Sequence, residues 1–215
     1  MRVSSFTHRF PVALLATAAL LSTACGEVAR TGRSPAYLII SNLEAASGAA
    51  PGDFQQTLFS DVVTLVKATV AGQDVMVPTI FGDLGRAEFR VGLKDPGPAA
   101  SPTIPSNLNA ITLTRYRIVF TRSDGRNTQG VDVPYAFDGG MTITVPATGS
   151  ATGTFQVVRH SAKQEPPLRN MINSGGAQLI STVAEVTFYG RDQAGNDIQA
   201  VGTIQVNFGN FADPA

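Results

Sequence analysis

Few side chains in this chain can do chemistry, and their scarcity narrows the choices. One cysteine, Cys25, and two histidines, His8 and His160, are the only soft or imidazole ligands in 215 residues. Cys25 ends a short apolar run and His8 precedes that run, so a cut at the run's end leaves His160 as the one imidazole. A zinc or copper site built from several imidazoles or thiolates then has no ligand set within one chain, and neither a metal nor a cofactor is expected. A Ser–His–Asp triad would have to use His160, and no Gly-x-Ser-x-Gly elbow accompanies it. Neither a Gly-x₄-Gly-Lys phosphate loop nor a Gly-x-Gly-x-x-Gly fingerprint after a strand occurs.

Carboxylates and arginines remain. Asp192, Asn196 and Asp197 fall within RDQAGND, where oxygen ligands on a turn could hold Ca²⁺. The same residue types are what a turn needs for positive φ and local hydrogen bonds, and a plain turn is the expectation. Asp124 and Asn127 in SDGRN read the same way. Arg115 and Arg117, two apart on a strand, share a face; they are read as solvated, with an anion-recognition patch including Arg122 and Arg126 as the alternative. No catalytic residue is nominated.

The N-terminus carries the clearest signal. Arg2, His8 and Arg9 precede an apolar or small stretch at 11–21, which leads to Ser22-Thr23-Ala24-Cys25-Gly26. A positive start, a short apolar run and small residues form a secretory signal. The run is shorter than the roughly 20 apolar residues that span a bilayer. The ending LSTAC resembles the lipobox of bacterial lipoproteins, with Leu21 four rather than three residues before the cysteine. The resemblance implies a bacterial source, cleavage before Cys25, a diacylglycerol on its sulfur and acylation of the freed amine. Cys25 is thus the expected lipid attachment site and the lipid bilayer the first expected partner. Gly26 in place of Asp after the cysteine implies the outer membrane, facing periplasm or cell surface. Each buried acyl CH₂ contributes roughly 0.8 kcal/mol, and two or more chains anchor stably. Residues 1–24 are read as signal peptide and 25–35 as a lipid-anchored tether. Its ten residues after the cysteine reach about 30 Å.

The rest must position whatever functional residues exist, and its pattern is β. Apolar or β-branched runs occur at 36–41, 57–70, 75–80, 86–94, 111–122, 131–137, 141–146, 155–161, 177–190 and 198–208. At 86–94 Ala87, Phe89, Val91 and Leu93 alternate with Arg86, Glu88 and Arg90, which predicts a half-buried strand. At 57–70 a bent or broken strand is expected, and Pro78 marks an edge or bulge. In 111–122 the apolar phase changes between Leu113 and Tyr116, which predicts a bulge. Asp138-Gly139-Gly140 between two runs predicts a hairpin turn, and 162–177 a helical turn started by proline. The expected fold is all-β: one antiparallel β-sandwich of eight or nine strands over 36–211, with a closed barrel as competitor. VTFYGRDQAGNDIQAVGTIQVNF (186–208) resembles the last hairpin of bacterial immunoglobulin-like and fibronectin III-like domains, which implies a sandwich and carries no activity.

Losing Arg2 and Arg9 with the signal leaves 14 basic residues against 16 acidic ones. A near-neutral chain with 15% charged residues lacks the basic footprint of a nucleic-acid binder. The expectation is an envelope-anchored, non-catalytic binding or structural module that meets another envelope protein or a glycan. Its working surfaces are placed on the loops 95–108 and 161–176. A carbohydrate-binding module would expose Tyr116, Tyr135 or Tyr189. A carboxylate-dependent hydrolase would set two acids about 5–10 Å apart in a cleft. A subunit of a larger assembly would bare an apolar patch or an open strand edge.

Overall fold

The computed structural model of the chain describes residues 32–172 and 178–211. Cys25, with the signal and most of the tether, lies outside them. The described chain is mostly β: ten strands in three sheets that include a curled half-barrel. The strands are β1 (Ala36–Ala46), β2 (Thr57–Asp61), β3 (Thr64–Val70), β4 (Gln73–Thr79), β5 (Asp83–Leu93), β6 (Ile111–Thr121), β7 (Phe137–Val145), β8 (Ser150–Val158), β9 (Leu179–Asp192) and β10 (Asp197–Gly209). One short helix, α1 (His160–Lys163), and a 3-10 turn at Leu168–Met171 follow β8.

A three-stranded sheet has the order β1-β5-β8 and a five-stranded sheet the order β2-β10-β9-β6-β7. Their facing sides form the core. Phe188 of β9 stands edge-on to Phe89 of β5 at 4.8 Å and to Phe155 of β8 at 5.2 Å. Tyr116 of β6 meets Phe155 at 5.1 Å, and its hydroxyl accepts the Gln156 N–H at 3.1 Å. Such aromatic pairs contribute about 0.5–1.5 kcal/mol each beyond the area they bury. The alternation that marks β10 in the sequence is what faces this core: Ile198, Ile204, Val206 and Phe208 are buried, and Gln199, Thr203 and Gln205 are exposed.

Four local expectations change. The pairing is not wholly antiparallel, because β2 runs parallel to β10 from Thr57↔Gln205 to Asp61↔Gly209. Residues 47–56 carry the chain back after β1, so β2 enters in the direction of β10. Asp138-Gly139-Gly140 is not a turn but the start of the continuous strand β7. Gly139 is there because the Tyr116 ring lies on it; a Cβ would come 2.2 Å from the ring's Cζ. Residues 131–136 form a loop rather than a strand. The strands number ten rather than eight or nine: the 57–70 run breaks, as expected, but into two paired strands, β2 and β3, and β3 pairs only with β4, around a turn at Ala71 (φ 52°) and Gly72 (φ 81°). The expected bulge in β6 is present, as a register shift between Leu113 and Arg115.

The registers give the molecule two poles. The starts of β1, β6 and β10 and the ends of β5 and β9 share one: Lys94 N–H bonds to the Pro35 carbonyl at 2.8 Å, and Ile111 lies opposite Asp192. This is the N-terminal pole. At the other, Asp83 pairs with Val158 and Gly209 with both Asp61 and Leu179.

Candidate functional site

A cleft of about 730 Å³ opens at the N-terminal pole. Three strand segments build it. Ala36 and Tyr37 come from β1, Thr114 and Arg115 from the bulge of β6, and Tyr189 to Arg191 with Asp197 to Gln199 from the β9–β10 hairpin. Lys94, just past β5, and Gly32 and Ser34, just before β1, complete the rim.

The β6 bulge aims Arg115 into this cleft. Its guanidinium lies over the Tyr189 ring, 3.9 Å from the centroid, and its Nη1 donates to Asp138 Oδ1 at 3.1 Å. Arg117 donates to the other oxygen of Asp138 at 2.6 Å, so one carboxylate serves two guanidinium groups. Arg191 Nε donates to Asp197 Oδ1 at 2.6 Å. Lys94 Nζ reaches the Gly32 carbonyl at 3.2 Å. Tyr37 lies flat on Gly92, where a Cβ would come 2.5 Å from its ring. Among the described residues three cations and one carboxylate, Asp197, therefore line the cleft, a positive excess. Arg115 keeps guanidinium N–H groups beyond the one given to Asp138, and these can meet an anion.

The RDQAGND turn closes one wall by satisfying itself. Asp192 Oδ1 accepts the Ala194 N–H at 3.0 Å and the Asn196 N–H at 2.8 Å, and Oδ2 accepts Asn196 Nδ2 at 2.8 Å. Ser34 is buried; its oxygen accepts the Ala36 N–H at 3.2 Å, and its hydroxyl bonds Asp192. Burial works to raise the Asp192 carboxyl, but the donors of Asn196, Ser34 and Ala194 outweigh it and hold it below its ordinary value. The carboxylate is spent on holding the turn and the root of the N-terminal segment.

The sequence-nominated residues scatter. Tyr189 is in the cleft, but Arg115 covers one of its faces. Tyr116 is 4% exposed, which corrects its nomination as a surface aromatic: it is a core residue between the sheets. Tyr135 is exposed on the loop before β7, outside the cleft lining. The four arginines split in two. Arg122 and Arg126 both clasp Asp124, with Nη2 to Oδ2 distances of 2.6 and 2.8 Å, at the opposite pole. They hold the Asp124 carboxyl far below its ordinary value. His160 is exposed at the start of α1. Tyr37, Lys94 and Arg191 carry no local signal in the sequence; only strand register brings them together.

A second cluster, also unforeseen, sits at the opposite pole. Lys163 is 1% exposed and donates to Asp83 Oδ1 at 2.9 Å and to the Asp61 carbonyl at 2.7 Å. Ser60 donates to Asp83 Oδ2 at 2.6 Å and the Gly48 N–H to Oδ1 at 2.9 Å. Burial pushes the Asp83 carboxyl up against the pull of the Lys163 charge and these donors. Serine, lysine and aspartate can make a nucleophile system. Here all three are sealed from solvent, and the serine proton points at Asp83. The cluster is a clamp that ties α1, β2, β5 and the loop after β1. Lys163, Leu168 and Met171 thus commit much of 161–172 to packing; the rest of the nominated loop, 173–176, lies outside the described residues.

No protein-family model, curated protein or solved structure matches the chain.

Proposed function

We propose that this chain is an envelope lipoprotein, lipid-anchored through Cys25, whose domain works as a non-catalytic binding module through the cleft at its N-terminal pole. The supporting observation is how the chain enters the domain. Gly32, Ser34 and Pro35 are bonded to Lys94 and Asp192 at the rim of that cleft. A tether rooted this firmly fixes which end of the domain faces its anchor. Residues 1–24 are the signal in this reading, 25–35 the tether and 36–211 one domain. The two facing sheets make an immunoglobulin-like sandwich, extended by the parallel strand β2 and the β3–β4 hairpin.

The anchor is tested by Cys25→Ser expressed in a bacterial host. Fatty-acid labelling should vanish and the protein should leave the membrane fraction. A variant that still labels and still pellets would sink the lipoprotein reading. Binding is tested separately, by capture of partners from detergent-solubilised envelopes with the native chain and with Arg115→Ala. A cleft-dependent partner should be lost from the second capture; identical captures would count against the cleft.

A further inference from the structure

Loop 95–108 leaves the cleft rim at Lys94 and returns at β6, so it stands beside the cleft at the same pole. It is folded on itself by Thr103 N–H to Pro96 and Ser101 N–H to Pro98 carbonyl bonds, and the exposed Asp95 accepts the Gly97 N–H at 3.0 Å. Its two large apolar side chains point away from the fold: Ile104 is 85% exposed and Leu108 67%. Both stand on the one loop that runs from Lys94 at the cleft rim to the start of β6, so exposed aliphatic groups and the cleft cations share a pole.

We propose that the N-terminal pole is a lipid-docking surface. Lys94, Arg115 and Arg191 take the phosphate of an anionic phospholipid headgroup, and Ile104 and Leu108 enter the interfacial region beside it. Two observations select a bilayer as the occupant. Among the described residues the cleft carries Lys94, Arg115 and Arg191 against Asp197, with Asp138 paired to Arg115 behind them, and this small cationic excess complements a phosphate-rich surface. The chain also leaves the described fold at Gly32, on this face, and Cys25 is seven residues before it. A segment of that length spans about 25 Å at most. An acyl group on Cys25 therefore keeps this pole within reach of the headgroups. The orientation rests on the anchor reading above; the surface chemistry does not.

The test separates the two. Residues 25–215 carrying Cys25→Ser have no lipid and lack the apolar 11–21 run, which would itself bind a bilayer. They retain the whole hydrophobic core, whose residues run from Leu38 to Phe208. This protein is sedimented with phosphatidylcholine vesicles with and without phosphatidylglycerol. Binding should require phosphatidylglycerol and fall with added salt. It should weaken about fivefold for each cation removed in Lys94→Gln, Arg115→Gln and Arg191→Gln, and fall again in Ile104→Ser/Leu108→Ser. Circular dichroism checks that each variant keeps its fold. No binding to phosphatidylglycerol vesicles, or binding unchanged in all variants, overturns the proposal. So does a third result, in which inorganic phosphate shifts the Arg115 Nε–H resonance while vesicles are not bound, because the cleft then takes a soluble phosphate. Fatty-acid labelling of the native chain reports on Cys25 independently, so either reading can fail without the other.

Discussion

Lys163 has given up water for one carboxylate and one carbonyl, and that exchange makes it the most consequential single residue at its pole. Removing one partner of a buried ion pair leaves the other charge uncompensated. Lys163→Met should therefore lower the unfolding free energy by about 3–5 kcal/mol, read from urea denaturation. Lys163→Met combined with Asp83→Leu should recover only part of that loss, since no charge is stranded but the Ser60 hydroxyl and the Gly48 N–H lose their acceptor. A single variant as stable as the native chain would mean the pair contributes nothing. Asp192 makes a pH prediction of defined sign. Its folded-state carboxyl lies below the unfolded value, so its contribution is full above the unfolded value. It is lost as pH falls through the folded one, in the range below about pH 4. Asp192→Asn should cost about 1–3 kcal/mol at neutral pH and flatten the loss of stability on acidification; an unchanged acid slope would refute this. The two aspartates differ in how visible they are beforehand. The Asp192 turn is legible because its Ala194 and Asn196 donors lie within four residues. The clamp is not, because Lys163 meets partners 80 and 102 positions away. A lysine before Pro166-Pro167 looks like surface until those strands are placed.

Strands announce themselves by alternation, but glycine has two meanings that a sequence does not separate. The β6 bulge is legible because a change of apolar phase has few other causes, and it sets Arg115 toward the cleft. Asp138-Gly139-Gly140 looks like a hairpin turn because Asp-Gly usually is one. Its real cause is long-range: Tyr116 needs flat backbone beneath its ring to reach the Gln156 N–H. The pair of glycines gives an internal control. Gly139→Ala places a Cβ 2.2 Å from the Tyr116 ring and should cost about 1–3 kcal/mol by overpacking. Gly140→Ala meets nothing within 4 Å and should change stability by less than about 0.5 kcal/mol. Denaturation midpoints decide it; equal effects at the two positions would restore the turn interpretation. The parallel β2 was illegible for a related reason. Strand direction is set by the path of the 47–56 loop, and a five-residue run carries no mark of it.

The molecule as a whole is polarised, and the poles have different mechanical character. At the N-terminal pole the chain is pinned to the sheet edges around the cleft by Ser34, Pro35 and Lys94. The opposite pole carries both the buried clamp and the least supported element, the β3–β4 hairpin. That hairpin is held at its root by Val62, whose N–H bonds the Gly209 carbonyl at 2.9 Å. Beyond the root its strands pair only with each other. One face carries Lys67 and Asp74 in a 2.8 Å ion pair, which at a wet surface contributes little. The other presents Val66, Ala68, Val70, Val75 and Val77, which the registry places on one side. An isolated two-stranded ribbon is marginal in water. Its amides should therefore exchange through local opening that leaves the rest of the fold intact. In native-state hydrogen exchange, Val66, Ala68, Val75 and Val77 should lose protection roughly a hundredfold or more before Ala184, Val186 and Val206. Urea at sub-denaturing concentration should barely change the hairpin rates, because local opening exposes little new surface. Exchange of the hairpin at the rate and urea dependence of β9 and β10 would mean that it unfolds only with the core and would refute local opening.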